Sequence, residues 1–111
     1  MTDVLVVLCP CPDAEVAAAL ARRAVEEGWA ACVQRLGSPI TSWYRWEGDL
    51  CEEKEHLLLL KTSREAWPRL RDGLAAAHPY EVPEILALPA DGLPAYLAWV
   101  GENCREERSG P

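Results

Sequence analysis

Residues 30–48 read AACVQRLGSPITSWYRWEG, and the second half of this stretch carries Trp43, Tyr44 and Trp46 in a β-prone run. Side chains alternate between the faces of an extended chain, so Trp43 and Arg45 share one side while Tyr44 and Trp46 share the other. Both faces therefore present a large ring. A strand of that kind is either central in a covered sheet or an edge that another chain completes. Glu47-Gly48-Asp49 reads as a tight reversal, with Gly48 able to supply a positive φ. The run is thus one arm of a long β-hairpin. Gly37-Ser38-Pro39 divides that arm into 30–36 and 40–46, where a bend or bulge is expected. The return arm is 51–62. It is polar and solvated at Glu52, Glu53, Lys54 and Glu55, and wholly apolar over 57–60, a segment that belongs at the centre of a sheet.

Outward from the hairpin, residues 4–8 (VLVVL) form a continuous apolar run that reads as a strand buried on both faces, ended by Pro10 and Pro12. Over 13–27, Val16, Leu20 and Ala24 with Ala17, Ala21 and Val25 recur at helical spacing, and Gly28 stands as a C-terminal stop. Ser63 can cap a second helix running to about Ala77, with Trp67, Leu70 and Leu74 inward and Pro68 tolerated in the first turn. His78-Pro79 ends it. A short last strand is expected over 84–88, and Asp91 with Pro94 opens a terminal helix carrying Tyr96, Leu97, Trp99 and Val100. The order is strand, helix, strand, strand, helix, strand, helix. That is an α+β sandwich of the split βαβ kind, with 4–8 and 57–60 central and helices on one sheet face. Residues 1–105 form one domain and 106–111 a flexible tail. The uncovered face and the projecting hairpin both call for a partner, most simply another copy of the chain.

Composition narrows the function classes. An apolar fraction of 50% over 111 residues argues for a packed core, and no apolar run reaches the roughly 20 residues of a membrane helix. The N-terminus lacks the basic and apolar regions of a signal peptide, so a soluble cytoplasmic protein is expected. A net charge of −7 offers no basic stripe to nucleic acid. The five cysteines, Cys9, Cys11, Cys32, Cys51 and Cys104, are odd in number and show no C-x-x-C spacing, which favours free thiols over a disulfide framework. No nucleophile-elbow, zinc-protease, dinucleotide or phosphate-loop signature is present, and a Cys9/His78 nucleophile pair would lack an orienting third group. An enzyme is not expected.

Ala30-Ala31-Cys32-Val33, Ile40-Thr41-Ser42 through Tyr44 to Trp46-Glu47-Gly48, Leu60-Lys61-Thr62, His78-Pro79-Tyr80-Glu81-Val82-Pro83-Glu84, Leu88-Pro89 and Tyr96-Leu97-Ala98-Trp99 together resemble the CutA family of divalent-cation tolerance proteins. The resemblance runs from about residue 4 to 102 with the motifs in order. It implies a ferredoxin-like βαββαβ protomer in a tight homotrimer, a cytoplasmic role in tolerance of divalent metal, Cu²⁺ above all, and no catalytic activity. It also implies a likeness in architecture to trimeric PII signalling proteins, which bind small effectors between subunits. The metal ligands it implies are Cys9 and His78. A second histidine found beside the latter in some members is Ala77 here, so two ligands stand where three or four are usual. Glu81, Glu84, Cys11 or a neighbouring subunit would have to complete the set, and Cys11 adds a soft thiol suited to Cu(I).

Each of these residues also has a plainer reading. Cys9 reads first as a packed strand-end thiol, His78 as readily as a helix C-cap acting on the dipole, and His56 as a structural or solvent-facing side chain. Trp43, Tyr44 and Trp46 suit oligomer packing better than ligand stacking.

Overall fold

The structure is a computed structural model and describes residues 3–105. The elements are β1 (Val4–Cys11), α1 (Ala14–Glu26), β2 (Cys32–Arg35), β3 (Ile40–Trp46), β4 (Asp49–Ser63), α2 (Trp67–Ala77), β5 (Leu86–Ala90) and α3 (Pro94–Asn103). The sheet order is β2-β4-β1-β5, β3 pairs with the first part of β4, and every pairing is antiparallel. β1 and β2 both oppose the β4 strand that lies between them, so β1-α1-β2 is a parallel pair split by a third strand. β4-α2-β5 is split by β1 in the same way. This is the mixed α+β architecture expected, with the two all-apolar segments in the two central strands.

β1 and β4 pair without interruption from Val4 opposite Ser63 to Cys11 opposite His56. One face of this ladder presents Val7, Cys9, Leu58 and Leu60, and α1 and α2 cover it with Ala17, Leu20, Ala24, Leu70 and Leu74. α1 begins where the Asp13 carboxylate accepts the Val16 N–H at 2.8 Å, and the chain leaves it through Gly28 at φ 71°. α3 packs Val100 and Cys104 against Val4 and Ala66, and because Val4 alternates onto the face of Val6 and Leu8, α3 lies on the side opposite α1 and α2 rather than with them on one face as expected. On the opposite face Val6 and Leu8 stand across from Leu88 and Leu86, and Leu8 and Pro10 from Leu59 and Leu57. Leu86 and Leu88 there are 51% and 46% exposed.

The element boundaries refine the sequence reading in several places. β1 does not stop before Pro10 but runs to Cys11. β5 begins opposite Leu8, so past that point β1 is open on one edge, where a proline costs no ladder bond. β5 begins at Leu86 rather than 84 and contains Pro89, tolerated for the same reason on the sheet's outer strand. α2 starts at Trp67, inside the 64–67 window in which Pro68 falls in the first turn, and the Ser63 hydroxyl accepts the Ala66 N–H at 3.0 Å, capping a turn before the helix rather than the helix itself. The hairpin reversal uses positive φ at Glu47 as well as Gly48, 50° and 87°, the combination a two-residue turn of matching twist requires. The tail expected at 106–111 lies outside the described residues.

Gly73, in the middle of α2, faces the Trp29 ring, and a Cβ built there would lie 2.3 Å from the ring's outer carbon. The Arg23 guanidinium covers that ring at 5.2 Å. Alanine in a helix interior gains about 1 kcal/mol over glycine, whereas overpacking costs about 1–3 kcal/mol. Gly73→Ala is therefore expected to lower stability in urea unfolding by about 1 kcal/mol; a gain would mean that the ring moves aside freely.

Candidate metal centre

Beyond Leu8, β1 carries Cys9, Pro10 and Cys11 past the end of β5. Strand alternation turns Cys9 and Cys11 toward the helices, where both are fully buried, and Pro10 toward the other face. The Pro10 carbonyl on this unpaired edge is met by His78, whose Nε2 lies 2.9 Å away. His78 is held there as the C-cap of α2, its N–H donating to the Leu74 carbonyl at 2.8 Å. The Tyr80 N–H donates to His78 Nδ1 at 3.2 Å. Nδ1 must then be an acceptor, so Nε2 carries the ring proton and donates it to Pro10, and the imidazole is neutral.

The sulfurs of Cys9 and Cys11 and a ring nitrogen of His78 all lie within 4.8 Å of one another, and all three residues are buried. The thiols are not equivalent. The Cys11 thiol donates to the Cys9 carbonyl at 3.7 Å. Interaction with the Cys11 thiol, burial and the charges of Glu84 and Glu55 push the Cys9 thiol up, while its interaction with Cys9 holds the Cys11 thiol below its ordinary value. Two sulfurs and an imidazole are soft donors of the kind that hold copper or zinc, and burial requires the cation's charge to be matched by thiolate. The donor set fits such an ion, at the cost of a hydrogen bond, because both ring nitrogens of His78 are already engaged.

Of the residues singled out in the sequence, Cys9, Cys11 and His78 converge. Glu84 and Glu81 are exposed and line a neighbouring groove, although Glu84 is near enough for its charge to act on Cys9. His56 stands opposite Cys11 on β4 and outside the trio. The groove encloses about 700 Å³ between the hairpin, with Trp43, Tyr44 and Trp46, and the segment 79–84. Trp43 Nε1 donates to Glu52 at 2.6 Å and the Tyr44 hydroxyl to Glu53 at 2.9 Å, a bond that pushes the Tyr44 phenol up to about 12.

Two residues of this region escaped the sequence reading. Glu55 was expected on a solvated face with Glu52 and Glu53, yet it is only 7% exposed. The Tyr80 hydroxyl covers it and donates to Oε2 at 2.8 Å, while the Tyr80 ring packs against His78 with centroids 4.7 Å apart. Burial, then the bond to Glu55, pushes the Tyr80 phenol up. The available signal was the strand period, which places Glu55 in line with Leu57 and Leu59 rather than with Glu52.

A family model described as CutA1 divalent ion tolerance protein matches residues 5–103. A divalent-cation tolerance protein CutA of Thermus thermophilus is 50% identical over 99 residues, covering 88% of this chain and 95% of that protein. A solved structure of the Thermus thermophilus protein superimposes with a TM-score of 0.87, covering 92% of this chain and 99% of that one at 48% identity. Protein CutA of Mus musculus is 44% identical over 91 residues, and the chain spans 51% of its length. A structure from Archaeoglobus fulgidus, 33% identical with a TM-score of 0.86 over 92% of this chain and 99% of that one, is described as a periplasmic divalent cation tolerance protein.

His78 is structurally engaged without any metal. Truncation strips the buried Pro10 carbonyl of its donor, a loss of about 1–3 kcal/mol. His78→Ala is therefore expected to lower the urea-unfolding stability of metal-free protein by that amount. Unchanged stability would mean that the ring serves only as a potential ligand.

Proposed function

The chain belongs to the CutA1 divalent ion tolerance family, and from that premise we propose that it acts in divalent-cation tolerance by binding copper at Cys9, Cys11 and His78. The observation that carries the reading is the convergence of three buried soft donors at the overrunning end of β1. Cys9 and Cys11 supply the two sulfurs. His78 supplies nitrogen from a position fixed by its helix cap and its bond to Pro10. Thiolate and imidazole together favour copper among the first-row divalent ions, with zinc next. Glu84, or failing it Glu81, is the carboxylate placed to approach as a further ligand. The role is binding, not catalysis.

The working unit we propose is a homotrimer of ferredoxin-like protomers in the cytoplasm. Its support is the sheet face of Val6, Leu8, Leu57, Leu59, Leu86 and Leu88 beyond the Val4 end on which α3 packs, where Leu86 and Leu88 are about half exposed, and the hairpin rings, of which Trp43 is 64% exposed. Unpaired thiols at all five cysteines accord with a reducing compartment. The groove beside Trp43 and Tyr80 favours a second reading, a PII-like sensor that takes a small effector in a cleft near the subunit boundary.

Anaerobic copper titration by calorimetry, with mass from light scattering on the same sample, tests the reading. The expectation is a particle near three times 12.3 kDa that binds one copper ion per chain and loses that binding in Cys9→Ser. Equal affinity in wild type and Cys9→Ser would overturn the ligand assignment and leave the effector reading. A particle of one chain mass at micromolar concentration would overturn the trimer.

A further inference from the structure

We propose that a metal ion cannot occupy the Cys9, Cys11 and His78 site without breaking the Tyr80 N–H bond to His78, so that Tyr80 is a latch coupling that site to the groove. The inference rests on the metal-binding reading above and concerns how the site is regulated.

His78 Nδ1 accepts from the Tyr80 N–H, and Nε2–H donates to the Pro10 carbonyl. A neutral imidazole has one lone pair in its plane for a ligand bond and one N–H. If Nδ1 becomes the ligand, its lone pair is taken and Tyr80 loses its acceptor. If Nε2 becomes the ligand, the ring proton moves to Nδ1, which then faces the Tyr80 N–H donor to donor. The Pro10 bond is lost as well. Either route leaves the Tyr80 N–H without the ring. The ionising thiols release their protons to solvent, and no oxidation is involved.

Tyr80 cannot give up that bond in isolation. Its ring rests on His78 and its hydroxyl reaches Glu55 Oε2 at 2.8 Å, on the far side of the strand from the thiols. Pro10, Glu55, Tyr80 and Glu84 all line the groove. The segment that holds His78 therefore wraps the end of β1, with the donor cluster on one face and the groove on the other. Releasing Tyr80 bares the Glu55 carboxylate to the groove and detaches the groove's wall. By reciprocity, whatever loosens the Tyr80–Glu55 bond favours metal, and whatever clamps it in the groove disfavours metal.

The test follows the Tyr80 amide in ¹⁵N-labelled reduced protein during anaerobic titration with Cu(I), together with Cu(I) affinity measured against a chromophoric chelator in wild type, Tyr80→Phe and His78→Ala. The expected results are a large shift of the Tyr80 amide that saturates with binding, and a tighter affinity in Tyr80→Phe. Loss of one charge-assisted hydrogen bond from the latched state corresponds to about tenfold to a hundredfold. A purely structural role for Tyr80 would instead weaken binding. An unmoved Tyr80 amide at saturation, with affinity still lost in His78→Ala, would overturn the latch alone, as would unchanged or weaker binding in a folded Tyr80→Phe. Affinity unchanged in His78→Ala, or no Cu(I) binding at all, would overturn the ligand assignment and the latch with it.

Discussion

The unbroken antiparallel ladder between β1 and β4 is the constraint on which everything else in the molecule rests. Its register, Val4 opposite Ser63 through Cys11 opposite His56, settles which side chains share a face over the full length of β1. Val7, Cys9 and Cys11 are thereby sent under α1 and α2, whereas Val6, Leu8 and Pro10 are sent to the face those helices do not cover. A slip of one residue would exchange the two sets. The thiols would then lie on the opposite face and the helices would lose their floor, so core packing and donor placement are specified by the same pairing.

The ladder is longer than the sheet around it. β5 begins only opposite Leu8 and leaves the last three residues of β1 with one bare edge. A proline can stand there, but its carbonyl then needs a donor from outside the sheet. The C-cap of α2 provides one. His78 is therefore drawn to the cysteines first by a backbone deficit, and the donor cluster follows from that geometry. This accounts for a histidine that reads both as a structural element and as a ligand: in the absence of metal it is the first, and becoming the second requires it to exchange partners.

Most of the scaffold was legible because its signals are local and periodic. The apolar runs 4–8 and 57–60 named the central strands, and Asp13, Gly28, Pro68 and Pro79 marked helix ends through fixed backbone requirements. Cys9, Cys11 and His78 were legible as donors through their chemistry and the family resemblance, but their convergence was not. It depends on where β5 begins, and β5 is a five-residue strand that contains a proline. The same dependence hid the extension of β1 through Pro10. Glu55 was misread because it follows Glu52, Glu53 and Lys54, and composition outweighed the period-two alternation that sets it in line with Leu57. Gly73 gave no sign of its partner, since Trp29 lies in a different segment and only the packing of the second helix brings them together.

The exposed apolar surface of one protomer also bears on how the proposed assembly must be built. Trp43, Tyr44, Trp46 and Leu50 on the hairpin and Leu86 and Leu88 on the sheet are between 40% and 73% exposed. Full burial of a large apolar side chain is worth about 1.5–3 kcal/mol, so covering what remains of these six contributes about 6 kcal/mol per protomer on that scale. Association costs roughly 4–15 kcal/mol in lost freedom before any side chain is ordered. Neither the hairpin nor the sheet face is therefore sufficient by itself. A stable assembly has to engage both, together with the half-buried Val6, Leu8, Leu57 and Leu59. An arrangement that does so sets a neighbouring chain against the hairpin that forms one wall of the groove, close to Tyr80 and Glu55. The latch would then work at a boundary between subunits, where a small displacement of the 79–84 segment is felt by more than one chain.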